Sequence, residues 1–198
     1  MFTGIIETIG IVKNIEQDKS NIKFHIAAPS FINELKIDQS IAHNGICLTV
    51  DGINNDLYSI TAIEETLLKT NLRNIKEGSF LNLERSMMLN GRLDGHLVQG
   101  HVDQTAICTN IQDKNGSSLF TFEYDPNKGN VTIEKGSICI NGVSLTVVNS
   151  RNGAFSVAII PYTFDNTNFR HLEKGNIVNL EFDVIGKYVA RYLQALIK

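Results

Sequence analysis

The 198-residue sequence contains no tryptophan, only three prolines and only three cysteines. Cys47, Cys108 and Cys139 are odd in number, widely spaced and without a CxxC pair, so neither a disulfide framework nor a structural zinc site is indicated. Each is most simply a small buried apolar side chain. No apolar run approaches the roughly 20 residues of a membrane helix, and the start MFTGIIETIG lacks the pattern of a signal peptide. These absences predict a cytoplasmic protein that does not enter a membrane.

The sequence also has little net charge. Its formal charge is -3 at pH 7, so no broad basic surface is indicated and nucleic acid is not an expected partner. No phosphate-binding loop and no GxGxxG motif after a strand are present, and no GxSxG motif surrounds Ser144. The 42% of hydrophobic residues is typical of a folded globular protein.

An internal repeat is the most prominent feature that the sequence does contain. Residues 40–50 read SIAHNGICLTV and residues 137–147 read SICINGVSLTV, with seven of eleven positions identical at an offset of 97. Residues 58–86 match residues 155–183 at ten of 29 positions with the same offset. Two copies are too few for a solenoid, so each predicts a closed domain of its own. The predicted division is a first domain over 1–96, a second over 97–184 and a tail over 185–198.

Each copy consists of short β-rich runs separated by turn signals. Asn-Gly turns are predicted at residues 44–45 and 141–142, and hairpins with three-residue loops at 54–56 and 151–153. One short helix per copy is predicted, over residues 64–75 and 162–172, with Thr66 and Thr163 as N-caps. Short strands with one small helix predict an all-β fold in which each copy is a small Greek-key barrel.

The tail has no counterpart after the first copy. Its apolar residues recur at helical spacings of three and four and define one face: Ile185, Val189, Tyr192, Leu193 and Leu196. Two interpretations are open. The helix packs on its own barrel, or it is an oligomerisation helix, which is favoured because a helix appended to two closed barrels needs a surface that buries its apolar face.

The two copies differ at positions that matter for chemistry. Cys47 corresponds to Ser144, Ile5 corresponds to His101 at an offset of 96, and Ser86 corresponds to Asp183. Proton transfer needs a group that titrates near pH 7, and histidine is the usual one. Two similar barrels with different polar side chains are expected to bind two similar small ligands and to give them different roles.

Simpler interpretations of these residues stay open on the sequence alone. His96 and His101 have the chemistry of metal ligands, but no third ligand is recognisable nearby. Asp183 stands where it could cap the terminal helix. Ser144 resembles any serine of a strand. Residue spacing by itself therefore predicts only a duplicated β-barrel that binds two similar small molecules.

The motifs taken together resemble the riboflavin synthase family. They occur in the family's order and cover nearly the whole chain: MFTGIIE, SIAHNGICLTV, EETLLKTNL, GRLDGHLVQGHVD, EKGSICINGVSLTV, IPYT and DVIGKYV. The resemblance implies two tandem six-stranded barrels that bind lumazine, with short helices, and a C-terminal α-helix that assembles a homotrimer. It places the active site between the first barrel of one subunit and the second barrel of its neighbour.

The resemblance also implies a reaction. The enzyme would be a transferase of riboflavin biosynthesis that moves four carbons between two molecules of 6,7-dimethyl-8-ribityllumazine. The products would be riboflavin and 5-amino-6-(D-ribitylamino)uracil, without a metal or an organic cofactor. An association with lumazine synthase is left open. The alternative function is a non-catalytic antenna protein that holds a lumazine or flavin as a chromophore, and a purely structural role is a third interpretation.

Family roles carry over to matching positions of this sequence. The implied catalytic residues are Cys47, His101, Ser144, Thr146 and Asp183. The implied first pocket consists of Gly4, Ile5, Ile6, Cys47, Leu48, Thr49, Thr61, Ala62, Ile63, Glu64, Glu65 and Thr66. The implied second pocket consists of Gly100, His101, Val102, Ser144, Leu145, Thr146, Ala158, Ile159, Ile160, Pro161, Tyr162 and Thr163. Lys135 is implied to reach a ligand shared between subunits, and Tyr162 stands where the family often has histidine.

Overall fold

The computed structural model describes residues 1–196, without the side chain of Gln194, so positions 197 and 198 of the predicted tail lie outside the described residues. The first copy of the repeat forms six strands: β1 (Thr8–Asp18), β2 (Asn21–Ala27), β3 (Ser40–His43), β4 (Ile46–Asn54), β5 (Leu57–Ala62) and β6 (Phe80–Arg85). They close into an antiparallel barrel in the order β1-β2-β5-β4-β3-β6.

The second copy repeats this architecture. Its strands are β7 (Gln104–Asp113), β8 (Ser118–Tyr124), β9 (Ser137–Ile140), β10 (Val143–Arg151), β11 (Ala154–Ile159) and β12 (Ile177–Phe182). They close in the equivalent order, β7-β8-β11-β10-β9-β12. The prediction of two tandem six-stranded Greek-key barrels is confirmed, and closure leaves neither sheet with an exposed edge.

The turns follow from the residues that form them. Asn44 and Gly45 have φ of 47° and 77°, and Asn141 and Gly142 have φ of 46° and 82°, as expected of tight hairpin turns. The two later hairpins have loops of two residues rather than the predicted three, because Asn54 pairs with Leu57 and Arg151 pairs with Ala154. Each strand therefore continues one residue further than its turn-forming side chains suggest.

The first short helix begins at the predicted residue, the second begins one residue early, and both end before the predicted ranges do. They are α1 (Glu64–Lys69) and α2 (Pro161–Asn166), each followed by a 3₁₀ turn at Asn71–Asn74 or Asn168–His171. Further 3₁₀ turns lie at Ile32–Glu34 and Pro126–Lys128. The N-caps are Ile63 and Ile160 without a side-chain cap, so the prediction of threonine caps was wrong. Proline at the first helical position explains the early start of α2, since its fixed φ suits that position.

Each barrel has its own apolar core. The first is mainly aliphatic, with Ile26, Ile41 and Ile60 fully buried. The second is richer in aromatic rings, and Phe120 meets Phe169 edge to face at 5.2 Å between ring centres. Cys108 and Cys139 are buried free thiols, as predicted, and burial raises the pKa of Cys108 to about 11.

The contact between the barrels contains six buried asparagines: Asn44, Asn71, Asn82, Asn141, Asn168 and Asn179. Asn82 Nδ2 donates to the Asn141 carbonyl at 2.8 Å, and Asn179 Nδ2 donates to the Asn44 carbonyl at 2.9 Å. Equivalent residues of the two copies thus exchange equivalent bonds. Such reciprocity is the mark of a twofold contact, here formed within one chain.

The terminal helix α3 (Val184–Leu196) projects from the second barrel. Lys187 joins it to the barrel through a salt bridge with Asp103 at 2.9 Å. The predicted apolar face stays more than half exposed: Ile185 61%, Val189 53%, Tyr192 71%, Leu193 54% and Leu196 81%. The barrel of the same chain therefore does not bury this face. None of the helices within residues 1–196 is long and apolar enough to span a bilayer.

Candidate active site

The segment ahead of the first strand of each barrel crosses to the other barrel. Residues 3–5 precede β1 but lie beside β10, where the Ser144 amide donates to the Gly4 carbonyl at 2.8 Å. Residues 99–101 precede β7 but lie beside β4, where the Cys47 amide donates to the Gly100 carbonyl at 2.9 Å. Cys47 and Ser144, the corresponding residues of the two copies, are therefore each covered by the opening segment of the other copy.

Glycine is required where these segments touch the strands. A Cβ atom on Gly4 would lie 2.6 Å from Ser144 Cβ, and a Cβ atom on Gly100 would lie 2.6 Å from Cys47 Cβ. Both glycines also have a φ of 79°, in the left-handed region that other residues rarely adopt. The two backbones can approach so closely only because neither position carries a side chain.

The crossover corrects the expected grouping of the pocket residues. Gly4, Ile5 and Ile6 were assigned to the first barrel, but Ile6 packs against the core of the second. Gly100, His101 and Val102 were assigned to the second barrel, but Val102 packs against the core of the first. The grouping was wrong because a repeat aligns equivalent segments without showing which barrel each segment contacts. His101 thus belongs beside Cys47, and Ser144 belongs beside Gly4.

A cavity of about 540 Å³ lies against the second barrel at the start of β10. Six of the expected pocket residues line it: Gly4, Ile5, Ile6, Ser144, Tyr162 and Thr163. The side chains of Ile5 and Tyr162 are 47% and 75% exposed, so the cavity has an open and partly apolar rim. Its size falls within the range of about 300–1,000 Å³ that small-molecule sites usually have.

A hydrogen-bonded pair adjoins this cavity. His96 Nδ1 lies 2.7 Å from Ser144 Oγ, and the His96 side chain is almost fully buried. Burial lowers the pKa of His96, and the negative charge of Asp183 opposes that lowering. His96 is therefore neutral near pH 7, so its Nδ1 can accept a hydrogen bond from the serine hydroxyl in one tautomer or donate one to the serine oxygen in the other.

Backbone contacts hold His96 in place. Its amide donates to the Thr3 carbonyl at 3.1 Å. A Cβ atom on the preceding Gly95 would lie 2.0 Å from that carbonyl oxygen and 2.8 Å from Ser144 Cβ. The linker between the two barrels, residues 87–96, can pass between the opening segment and β10 only because residue 95 is a glycine.

Asp183 has two structural roles. Its Oδ1 accepts the Ile185 amide at 2.9 Å, which caps α3, so this simpler interpretation is confirmed. Its negative charge also acts on His96. The same carboxylate therefore contributes both to the helix start and to the electrostatics of the His96–Ser144 pair.

Strand alternation divides the other expected pocket residues. Leu48 and Leu145 pack against the barrel cores, whereas Thr49 and Thr146 are exposed on the outer surface of β4 and β10. Successive side chains of a strand point to opposite faces, so Ser144 and Thr146 share the outer face. The same alternation buries Ala62 and Ile159 and leaves Ala158 exposed.

The residues at the start of the short helices are more exposed. Ile63 and Ile160, which precede α1 and α2, are 53% and 59% exposed. Glu64, Glu65 and Pro161 are exposed in the first helical turns, and the Thr66 carbonyl accepts the hydroxyl of Thr70. The Thr61 hydroxyl donates to Asp51. Of the predicted residues in these two helix starts, only Tyr162 and Thr163 line the cavity against the second barrel.

Cys47 and His101 are the polar residues predicted for the first pocket, and the Gly100 carbonyl, which accepts the Cys47 amide, connects their two segments. Cys47 is half-buried against Phe2, Ala42, Val98 and Cys139, while His101 is exposed. Lys135 lies exposed in the turn before β9, outside the residues that line the cavity of the second barrel. Within the described residues, no group of three or more His, Cys, Asp or Glu side chains is placed to hold a metal ion.

The His96–Ser144 pair was missed from the sequence. The available signal was the glycine before His96 in GRLDGHLVQGHVD, because a conformationally free residue in a linker often marks a close backbone approach. Spacing gave no reason to connect residue 96 with residue 144. Only the passage of the linker beside β10 brings the two side chains together.

The comparisons with known proteins agree with this architecture. The model of the Lumazine binding domain family matches residues 3–86 and again residues 99–183. A riboflavin synthase of Bacillus amyloliquefaciens is 39% identical over 193 residues, which cover 98% of this chain and 90% of that protein. Riboflavin synthases of Mycobacterium tuberculosis and Saccharomyces cerevisiae are 36% and 35% identical, cover the same 98% of this chain, and are themselves covered to 99% and 86%.

Solved structures with a similar fold include LumP complexed with riboflavin and LumP complexed with 6,7-dimethyl-8-(1'-D-ribityl) lumazine. Their TM-scores are 0.85 and 0.83, and both are 24% identical to this chain. The matches cover 92% and 91% of this chain and 99% and 98% of those chains. At that identity the likeness establishes the duplicated fold alone.

Proposed function

The chain belongs to the Lumazine binding domain family, and on that premise we propose that it is a riboflavin synthase. The proposed substrate is 6,7-dimethyl-8-ribityllumazine, two molecules of which yield riboflavin and 5-amino-6-(D-ribitylamino)uracil. The similarity to riboflavin synthases extends over 98% of this chain. The enzyme is a transferase, because four carbons pass from one substrate molecule to the other.

The observation that carries the proposal is the pair of equivalent sites with different side chains. One site has Cys47 under the Gly100 carbonyl, and the other has Ser144 under the Gly4 carbonyl. A reaction between two identical substrates needs two places that recognise the same molecule but treat it differently. A duplicated barrel supplies the common recognition, and the substituted side chains supply the different chemistry.

The reaction balances without an added oxidant or reductant. The donor lumazine gives up its C6 and C7 atoms with their methyl groups and keeps its two ring nitrogens as amines. The acceptor gains these four carbons as the new ring of riboflavin. The acceptor's two methyl groups lose four hydrogens as they become ring carbons, and the nitrogens of the departing pyrimidine gain four, so no proton is left over. Side chains that accept and donate protons are therefore sufficient.

We assign the proton-transfer groups by their pockets. In the first pocket, His101 or a water beside it assists removal of a proton from the 7-methyl group of a lumazine held by Cys47 and Thr49. In the second pocket, the His96–Ser144 pair, with Asp183 and Thr146, orients and polarises the lumazine that is attacked. Holding both molecules in place contributes an estimated 7–11 kcal/mol to lowering the barrier, since proximity and orientation reach that size.

A homotrimer with active sites between subunits is the proposed assembly. The apolar face of α3 supports it, because five side chains on one face are more than half exposed. The open rim at Ile5 and Tyr162 supports a second subunit that covers the cavity. In this arrangement the first barrel of one subunit faces the second barrel of the next, and Lys135 contacts the ligand shared between them.

The remaining pocket residues named above are proposed to contact the two lumazines. We also propose that the chain divides into domains at residues 96 and 184, that the protein is cytoplasmic and that it associates with lumazine synthase.

The direct test is to mix the purified protein with 6,7-dimethyl-8-ribityllumazine and to quantify products by chromatography, with no metal or nucleotide added. We expect one riboflavin and one pyrimidine for every two lumazines consumed. Tight binding without conversion would assign the chain to the antenna proteins instead. Neither binding nor conversion would contradict both functions.

A second test concerns the His96–Ser144 pair. Ser144→Ala and His96→Gln are each expected to lower kcat by about 10²–10⁴-fold, the usual contribution of a positioned acid or base. Because the two residues act as one unit, the double variant should lose little more than either single variant. Asn152→Ala, in the exposed turn after β10, is the control. Full additivity of the His96 and Ser144 effects would contradict their joint role.

A further inference from the structure

Two buried glutamates occupy equivalent positions in the last strand of each barrel. Glu84 lies on β6 and Glu181 on β12, and their side chains are 4% and 2% exposed. Neither carboxylate forms a salt bridge within residues 1–196. A carboxylate buried without a cationic partner is unfavourable unless hydrogen-bond donors surround it. Because both copies carry such a glutamate, each carboxylate is expected to be surrounded by hydrogen-bond donors.

The donors come from the opening segments. Glu84 accepts the Thr3 amide at 2.6 Å, the Thr3 hydroxyl at 2.7 Å and the Gly4 amide at 3.0 Å. Glu181 accepts the amides of Gln99, Gly100 and His101 at 2.6, 2.9 and 2.9 Å. Each carboxylate thus binds consecutive donors of one segment, with both of its oxygens engaged.

Each segment joins its carboxylate to the pocket of the opposite barrel. Gly100, held by Glu181 of the second barrel, accepts the amide of Cys47 in the first. Gly4, held by Glu84 of the first barrel, accepts the amide of Ser144 in the second. A carboxylate of one barrel therefore determines the position of the pocket wall in the other.

We propose that Glu181 and Glu84 are positioning residues for the two lumazine pockets, Glu181 acting through the segment that carries His101 and Glu84 through the segment beside Ser144. The inference rests on the proposed function, because it explains how the walls of the two pockets used in that reaction are held in position. It gives a role to two buried residues whose carboxylates bind the opening segments.

The two clamps are not identical. Glu181 bonds the amide of His101 itself, whereas the corresponding Ile5 amide donates to the Thr3 hydroxyl at 3.3 Å. Glu181 therefore fixes the backbone of a proton-transfer residue, while Glu84 fixes only the wall beside one. Burial raises the pKa of both carboxyl groups. The hydrogen bonds from the opening segments oppose that rise at both sites, and the positive charge of Lys187 also opposes it at Glu181, although Lys187 is not within salt-bridge distance.

Hydrogen exchange tests the clamp without reference to activity. In Glu181→Gln an amide group replaces one acceptor and faces backbone N–H groups, so the amides of residues 99–101 should exchange about tenfold faster. Exchange in the segment at residues 3–5 should stay as in wild type. The matched control is Glu77→Gln, which removes the same charge at an exposed turn. Unchanged exchange at 99–101, or a uniform rise along the chain, would overturn the clamp.

A double-mutant cycle tests the link to the pockets. Glu181→Gln should lower kcat about tenfold in the wild-type background but less than about twofold when His101 is already alanine. Glu84→Gln should keep its full effect in the His101→Ala background and lose it in the Ser144→Ala background. A general loss of stability would not produce this crossed pattern, and effects that simply multiply in every background would overturn the positioning role.

Two further outcomes are separable. If wild type does not convert lumazine, the proposed function fails, while the exchange pattern still decides whether the clamps exist. If Glu181→Gln does not fold, the same experiment is done with Glu181→Asp. The shorter side chain keeps both acceptor oxygens but lies further from the amides of residues 99–101. That variant should show a smaller change of the same kind at residues 99–101, and no change would contradict the proposal.

Discussion

A buried histidine and a buried tyrosine form a pair in the first barrel at positions that carry apolar side chains in the second. His43 Nδ1 donates to the Ile41 carbonyl at 3.1 Å, so Nε2 is the acceptor of the Tyr58 hydroxyl at 2.8 Å. The corresponding residues of the second copy are Ile140 and Phe155. Burial lowers the pKa of His43 to about 4. The histidine is thus neutral in the folded chain and serves as a structural hydrogen-bonding group.

This pair predicts loss of stability in acid. The unfolded chain protonates His43 as pH falls below about 6.5, but the folded chain resists protonation until about pH 4. The stabilisation is therefore complete above pH 6.5 and decreases toward pH 4, by about 3 kcal/mol in total. The measurement is the free energy of unfolding in urea at pH 7 and at pH 4.5.

The second barrel provides the control for this prediction. His43→Ile combined with Tyr58→Phe reproduces the residues of the second copy and should remove the contribution of His43 to the pH dependence, since the other groups that titrate between pH 4 and pH 7 are unchanged. Equal slopes for wild type and the double variant would show that His43 is not responsible.

At the level of elements, the opening segments decide which side chains share a pocket. A crossing segment depends on close backbone contact, which glycine alone permits at residues 4 and 100. Gly78 offers a useful contrast, because its φ of 84° is also positive but nothing lies within 4 Å of the position where a Cβ would be built. Strain and steric overlap can therefore be measured separately.

We predict that Gly4→Ala and Gly100→Ala lower the free energy of unfolding by about 2–4 kcal/mol, from left-handed strain together with overpacking. Gly78→Ala should cost only the strain, about 1–2 kcal/mol. Urea denaturation of the three variants makes the comparison. Equal losses of unfolding free energy at all three sites would mean that the opening segments shift without cost and that the close contact does not contribute to stability.

At the scale of the whole molecule, the buried asparagines join the two barrels. The side chain of Asn82 donates to the Asn141 carbonyl and to the Asn168 side chain, and it accepts the Asn168 amide at 2.7 Å. Removing it leaves those groups buried without partners. An unsatisfied buried polar group costs an estimated 1–3 kcal/mol, so this contact contributes to the coupling between barrels.

Asn82→Ala should therefore weaken the coupling as well as the stability. In calorimetry we expect one cooperative transition for wild type and, for the variant, a broader transition whose van't Hoff enthalpy falls below the calorimetric enthalpy. Asn74→Ala, at an exposed position, is the control. A variant that still melted in one sharp transition would show that the barrels are coupled by other contacts.

The exposed face of α3 gives a prediction about assembly. Tyr192→Asp with Leu196→Asp places two charges on the apolar face and should reduce the molar mass in sedimentation from that of a trimer to that of a monomer. Arg191→Asp changes charge on another face of the helix and should leave the mass unaltered. A wild-type chain that sediments as a monomer would contradict the trimer directly.

The sequence by itself determined the duplication, the all-β class, the Asn-Gly turns and the apolar face of α3. These features depend on residues that are close along the chain or related by a fixed offset, and their local conformational preferences are strong enough to be read individually. The hairpin loops and the start of α2 were each misjudged by one residue, and the N-caps were misassigned, because strand pairing and Pro161 at the first position of α2 outweighed the local turn and cap signals.

The tertiary structure alone decided how the pocket residues combine. Cys47 meets Gly100, Ser144 meets Gly4 and His96, and Glu181 meets His101 because each opening segment packs on the barrel of the other copy. Equivalent segments of a repeat fit either of two related barrels, so the pattern of residues is the same for both arrangements. The choice rests on packing and hydrogen bonds between residues far apart in sequence, which no local preference encodes.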